Sequence, residues 1–172
     1  MIEVLEKAKL EGDSVGGIVE TVVLSLPVGL GDPVFEKLEA NLAKAMLSLP
    51  ASKGFEMGSG FQAAKMKGSE HNDIFCVDNH EKVYTKTNHA GGTLGGISTG
   101  MPLNFRVVFK PPSSIRQIQE TLSIEKEKSA IAFPATARHD PCVVIRAVPV
   151  VEAMTAIVLV NALIANRSAR LK

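Results

Sequence analysis

The chain has 172 residues, 45% of them hydrophobic and 22% charged, and a formal net charge of +1. These values are ordinary for one soluble globular domain with a sizeable core, so we treat residues 1–172 as a single domain. The charge balance gives no reason to expect a nucleic-acid or membrane partner, and the few aromatic side chains (seven Phe, one Tyr, no Trp) leave little for base stacking. Cys76 and Cys142 have neither metal-binding nor disulfide-framework spacing, which favours reduced thiols in the cytoplasm.

The first third of the chain predicts two helices around a strand. Apolar residues recur at helical spacing over positions 2–8. Residues 18–26 are rich in Val, Ile and Leu and predict a strand that is covered on both faces. Asp32 and Pro33 then predict the start of the clearest helix, as its N-cap and first-turn residue, and Pro50 follows its end.

The middle of the chain is broken by glycines. We expect two short strands, at residues 54–57 and 61–66, and then a polar loop at residues 69–73.

A glycine-rich run leads into the clearest strand. Five glycines fall within ten residues, at positions 91, 92, 95, 96 and 100, as happens where the backbone needs positive φ or a close approach. Apolar residues alternate over residues 103–109, and the strand ends in the turn Lys110-Pro111-Pro112-Ser113-Ser114, which carries one cation and two hydroxyls. This succession predicts one wall of a ligand pocket. The alternative is a glycine-rich hairpin connection.

Towards the end, residues 115–122 and 129–133 flank a charged run at 125–128, typical of a solvated hairpin tip. Residues 150–165 predict an apolar helix with Glu152 in its first turn. This segment is shorter than the about 20 residues that a bilayer span requires, so we expect it in the core or in a subunit interface.

Arg138, His139 and Asp140 form the sharpest cluster of reactive side chains. Arg can bind a phosphate or carboxylate through two parallel hydrogen bonds, and a carboxylate beside it can carry a proton. The alternative is a surface Arg–Asp pair that closes a turn.

Four other known motifs are excluded by their spacing or by the residues around them. The four histidines lack zinc-ligand spacing, so no metal site is predicted. The glycine run does not fit the dinucleotide fingerprint, and it is not a P-loop, because Ile97 stands where Lys is required. The letters around Ser98 match a nucleophile elbow, but a strand rather than a helix follows them.

Taken together, eight blocks of the sequence resemble chorismate synthase. They are residues 12–17, 29–35, 53–61, 68–73, 88–92, 95–102, 138–142 and 146–154, which include Gly-Asp-Ser-Val-Gly-Gly, Gly-Gly-Ile-Ser-Thr-Gly-Met-Pro and Arg-His-Asp-Pro-Cys. The blocks keep the family's order and span nearly the whole chain, but only the second half of the family's length. The family's first half, with its G-E-S-H-G signature, has no counterpart in these residues.

The resemblance implies an α+β fold, a layered sandwich of antiparallel β-sheets with covering helices. It implies a homotetrameric lyase that eliminates phosphate from 5-enolpyruvylshikimate 3-phosphate to give chorismate. The cofactor is reduced FMN, and NAD(P)H is used only where an intrinsic flavin reductase activity is present. The alternative is a catalytically incompetent fragment that folds or associates without the other half of the active site.

The same resemblance places the flavin contacts on Pro50, Ala51, Gly95, Lys110, Pro111, Pro112, Ser113, Ser114 and Arg138. It gives catalytic roles to Asp140, near the flavin, and to Arg138. Two residues depart from the family's pattern: Pro112 stands where a hydroxyl residue is usual, and Ala137 where glycine is usual.

Overall fold

The computed structural model describes residues 1–134 and 136–169. The helices are α1 (Ile2–Leu10), α2 (Leu38–Leu47), α3 (Gly68–His71), α4 (Val144–Ala169) and a 3-10 helix (Gly60–Lys65). The strands are β1 (Gly17–Val23), β2 (Ser52–Met57), β3 (Phe75–Val77), β4 (Val83–Thr85), β5 (Thr93–Leu94), β6 (Ile97–Ser98), β7 (Leu103–Phe109), β8 (Gln119–Leu122) and β9 (Lys128–Ile131).

The strands form one three-stranded antiparallel sheet and a set of two-stranded hairpins. The sheet has the order β1-β7-β2, and the hairpins are β3-β4, β5-β6 and β8-β9. Helices α2 and α4 pack on the sheet and on each other. This arrangement confirms the predicted α+β class of antiparallel sheets with covering helices, and β8-β9 confirms the predicted hairpin around the charged run.

The core lies between the sheet and these two helices. The alternating residues Leu103, Phe105, Val107 and Phe109 of β7 are at most 2% exposed, as their period of two predicts. They join a cluster that includes the apolar stripe of α2, namely Leu38, Leu42 and Met46, and Ala147 and Val151 of α4. The middle strand therefore supplies the centre of the core.

The other face of the sheet is open, so the expectation of a strand covered on both faces is wrong. Ile18 and Val22 of β1 are 59% and 56% exposed. On this face the register places Arg106 of β7 between Glu20 and Glu56. The Arg106 Nε atom lies 2.9 Å from an oxygen of Glu56, which gives the outer surface of the sheet an ion pair.

The predicted helix start at Asp32 is also wrong, because α2 begins at Leu38. The segment before it turns back on itself: the Asp32 N–H donates to the Glu36 carbonyl, and Val34 has a φ of +70°. The Leu38 N–H instead donates to the carbonyl of Gly96, at 2.9 Å. A distant loop thus satisfies the helix terminus, and Asp32 does not cap it.

The middle of the chain differs from the predicted elements in three places. Residues 60–65 form a 3-10 helix instead of a strand, because the Phe61 N–H donates to the Glu56 carboxylate and Gly60 has a φ of +51°. The expected polar loop at 69–73 contains the single turn α3, and the β3-β4 hairpin after it was not predicted.

Helix α4 is longer and less buried than predicted. It starts eight residues before Glu152, which therefore lies beyond the first turn. Its buried residues are Ala147, Val151 and Thr155, whereas Ile157 and Ile164 are 56% and 60% exposed. With 26 residues and a mean hydropathy of 2.1 over 18 of them, it is long and apolar enough to cross a membrane, so the length argument against a span was wrong. Core helices of soluble proteins pass the same test.

Candidate functional site

The turn at residues 110–114 lies at the end of β7, beside the end of α2. The Lys110 N–H donates to the carbonyl of Ala51 at 2.8 Å, which brings the predicted pair Pro50 and Ala51 next to the turn. Ala51 has a φ of +66°, a conformation that residues other than glycine rarely adopt. Such strained positions cluster at functional sites.

Within the turn, the Lys110 ammonium donates to the Ser113 hydroxyl at 2.6 Å. The Pro112 carbonyl accepts a hydrogen bond from the Ser14 hydroxyl at 2.7 Å. The cation and hydroxyl of the turn are therefore adjacent, and the loop at residues 13–14 holds the turn from behind.

The Arg138-His139-Asp140 segment meets the same two loops. The His139 Nε2 atom lies 2.8 Å from the Asp13 carbonyl, and its Nδ1 atom lies 3.3 Å from the Ser114 carbonyl. The Val15 N–H donates to the Pro141 carbonyl at 2.8 Å. Three segments that are distant in sequence thus converge: residues 13–15, 110–114 and 138–141.

Asp140 is held by its own neighbours. One carboxylate oxygen lies 3.5 Å from Arg146 Nε, and the other accepts the Cys142 N–H at 3.3 Å. The Arg146 side chain is 83% exposed, so this ion pair contributes little to stability. Arg138 is exposed at the surface of the cluster. Both guanidinium groups are therefore accessible to an anion.

Gly95 lies elsewhere. Gly95 and Gly96 form the turn of the β5-β6 hairpin, with φ values of +61° and +92°, as a two-residue type I′ turn requires. This hairpin contacts the start of α2, whereas Ala51 follows its end. The seven residues of β7, about 20 Å of extended strand, come between this part of the chain and Lys110. In residues 1–134 and 136–169, no hydrogen bond links Gly95 to the 110–114 turn or to the Arg138-to-Asp140 segment, and Gly95 lies in the turn of a glycine-rich hairpin.

Two groups of functional interest were missed by sequence reasoning. One is the Asp13–Ser14 loop, whose only sequence signal was the Gly12-to-Gly17 block. The other is Asp73, whose carboxylate accepts the N–H groups of His89 and Ala90 and the Thr87 hydroxyl. Burial raises the pKa of Asp73, but these hydrogen bonds outweigh it, so its pKa lies below the ordinary value. Asp73 thereby fixes the start of the glycine run.

The donor set of the convergence fits a phosphorylated ligand. Lysine, serine and arginine side chains lie on one turn and the segment packed against it, and such groups recognise phosphate. In residues 1–134 and 136–169, no three His, Cys, Asp or Glu side chains are placed to share a metal ion.

Comparison with known proteins gives a consistent result. A family model described as chorismate synthase matches residues 1–164. Chorismate synthase of Protochlamydia amoebophila is 60% identical over 168 residues, which are 98% of this chain and 46% of the relative. That of Methylacidiphilum infernorum is 62% identical over 157 residues, 91% of this chain and 42% of the relative.

A solved structure, a crystal structure of chorismate synthase, superposes with a TM-score of 0.76 at 32% identity. The superposition covers 96% of this chain and 42% of the solved one. The chain thus spans less than half the length of the relatives that it matches. The family model, the relatives and the structure agree, and the chain belongs to the chorismate synthase family.

Proposed function

We propose that the chain supplies part of the active site of a chorismate synthase, a lyase that eliminates phosphate from 5-enolpyruvylshikimate 3-phosphate to give chorismate in aromatic amino-acid biosynthesis. The observation that carries the proposal is the convergence of the 110–114 turn with the Arg138-to-Asp140 segment in a chain of this family. Both the substrate and FMN carry phosphate, and the cations and hydroxyls collected here suit such groups.

Lys110, Ser113 and Ser114 would hold the phosphate of FMN, with the main chain of Pro50 and Ala51 beside them. The hydrogen bond from Lys110 N–H to Ala51 fixes the spacing of these two segments. Pro111 and Pro112 stiffen the turn without adding N–H donors. Reduced FMN, when bound, would lend electron density to the breaking carbon–oxygen bond and recover it, so that the reaction has no net redox change.

Arg138 would bind an anionic group of the substrate, and Asp140 would hold or move a proton at its carboxylate oxygen. The contacts of Asp140 with Arg146 and with the Cys142 N–H fix the orientation of that carboxylate. NAD(P)H would take part only if the protein has its own flavin reductase activity.

The second candidate is a fragment that folds and associates but does not catalyse. The observation that favours it is coverage, because the chain matches only 46% and 42% of its relatives. In the first proposal, the whole protein assembles as a homotetramer in the cytoplasm and has no membrane or nucleic-acid partner.

Anaerobic turnover with reduced FMN separates the two candidates. We expect little turnover from the 172-residue chain alone, and restored turnover when the part of the Protochlamydia amoebophila relative outside the match is added. Groups that act together in a transition state lose nearly all catalysis when some are absent. Failure of both FMN binding and complementation would support the inert fragment.

Asp140→Asn tests the role of the carboxylate in the complemented enzyme. We expect a rate at least about 100-fold lower, the range of general acid–base contributions, with the affinity for FMN nearly unchanged. Asp78→Asn, a carboxylate in the β3-β4 turn, is the matched control. An unchanged single-turnover rate in Asp140→Asn would show that the carboxylate carries no proton.

A further inference from the structure

His139 bridges the loop at residues 13–15 and the turn at residues 110–114, which the Ser14 hydroxyl also links. Its two ring nitrogens face main-chain carbonyls of Asp13 and Ser114, which are 126 and 25 residues away in sequence. We propose that His139 is the positioning residue that fixes the 110–114 turn in its anion-binding conformation. This inference rests on the proposed function of the turn.

The carbonyl groups of the turn are the atoms that would oppose an anion. A phosphate is repelled by carbonyl oxygens and attracted by N–H groups and hydroxyls. The Ser114 carbonyl lies 3.3 Å from His139 Nδ1, and the Pro112 carbonyl accepts the Ser14 hydroxyl at 2.7 Å. Both carbonyls therefore face protein groups behind the turn, the His139 ring and the Ser14 hydroxyl.

The donors of the turn remain available. In the described part of the chain, the N–H groups of Ser113 and Ser114 donate to no protein acceptor, whereas the next N–H, that of Ile115, donates to the Ser113 carbonyl. The Lys110 ammonium adjoins the Ser113 hydroxyl. An anion site requires carbonyls that point away from the ligand and free N–H groups beside a cation. The turn meets both requirements.

The ring also holds the loop behind the turn. His139 Nε2 contacts the Asp13 carbonyl, while the neighbouring Val15 N–H donates to the Pro141 carbonyl. The charged side chains on the surrounding segments are Asp13, Asp140, Lys110, Arg138 and Arg116. In the described residues, none of them donates to the carbonyls of Asp13 and Ser114 that the ring contacts. An imidazole donates from one nitrogen when neutral and from both when protonated, so it can satisfy one or both carbonyls.

Three variants of the 172-residue chain test this role. His139→Leu removes both ring nitrogens, whereas His139→Gln keeps an amide N–H₂ that can donate to the same carbonyls. His80→Leu is the matched control, because His80 lies exposed in the β3-β4 turn. The readouts are amide hydrogen exchange at Val15 and Ile115, and the affinities for inorganic phosphate and for oxidised FMN.

We expect His139→Leu to exchange faster at both amides and to bind both probes about tenfold more weakly, the effect of losing one hydrogen bond. His139→Gln should recover most of each change, and His80→Leu should match the wild type. Recovery by Gln distinguishes positioning by hydrogen bonds from simple filling of space. If His139→Leu does not fold, His139→Phe, which keeps an aromatic ring without an N–H donor, takes its place with the same readouts and the same expected losses.

Unchanged exchange and affinity in His139→Leu would overturn the inference, as would a failure of His139→Gln to recover either. If exchange responds as expected and phosphate binds the wild type while FMN does not, the positioning role stands and the proposed flavin site is wrong.

Discussion

The carboxylate of Asp73 holds the start of the glycine run, so Asp73→Ala tests how this loop is stabilised. One oxygen accepts the Thr87 hydroxyl and the His89 N–H, each at 2.8 Å, and the other accepts the Ala90 N–H at 2.9 Å. The substitution removes all three bonds at once and leaves two main-chain N–H groups without acceptors.

The magnitude follows from the number of bonds and their burial. A hydrogen bond to a charged group contributes about 1.5–3 kcal/mol when buried. Asp73 is only partly buried, so we take about 1 kcal/mol for each bond and expect Asp73→Ala to lower the free energy of unfolding by about 3 kcal/mol. For a chain of this size the melting temperature would fall by roughly 6–12 °C.

Urea unfolding measures the loss, and amide exchange of His89 and Ala90 localises it. Asp78→Ala is the control, because Asp78 accepts two main-chain N–H groups, those of His80 and Lys82, but in an exposed turn. We expect less than about 1 kcal/mol there, since water replaces exposed hydrogen bonds. Equal losses in the two variants, or a loss below about 1 kcal/mol in Asp73→Ala, would refute the assigned anchoring role.

The remaining predictions concern acid stability, the hairpin turn and the core. Because folding lowers the pKa of Asp73, its contribution to stability is complete above the unfolded value and is lost as the pH falls. The stability gap between wild type and Asp73→Asn should therefore narrow from about pH 4 downward, and a gap that widens below pH 4 in urea titrations would contradict this. Gly96→Ala would place a Cβ atom 2.5 Å from Lys37 Cγ at a φ of +92°, whereas a Cβ atom on Gly95 meets nothing within 4 Å. Gly95→Ala should cost about 1 kcal/mol for its positive φ and Gly96→Ala clearly more, and chemical denaturation that ranks them the other way would refute the steric reason. Phe105→Ala should cost about 3–5 kcal/mol, since the ring is 1% exposed and packs 5.3 Å from Phe55; a calorimetric loss below about 2 kcal/mol would show that the core refills the space.

Much of the fold could be predicted from periodicity. The alternation over residues 103–109 correctly predicted which side chains of β7 face the core, because burial imposes that period directly. The start of α2 could not be predicted, since its first N–H is satisfied by Gly96 from a separate hairpin while Asp32 offers a misleading local cap. The strand predicted at residues 61–66 was wrong for a similar reason, because the Glu56 carboxylate turns the chain there.

The candidate site was only partly predictable. The family resemblance pointed to Lys110 and Asp140, but the contacts that join their segments are made by His139 and Ser14 to main-chain carbonyls, which carry no signature of their own.

The order of strands in the main sheet has a consequence for how the chain reaches this structure. The middle strand β7 comes last along the chain, after both of its neighbours. During synthesis β1 and β2 therefore emerge with no partner and must wait until residue 109 has left the ribosome. Pairing such distant segments is slow, and unpaired strands invite aggregation in the meantime. Chaperones that shield the unpaired strands should accordingly raise the soluble yield of the chain, whereas slower translation should lower it.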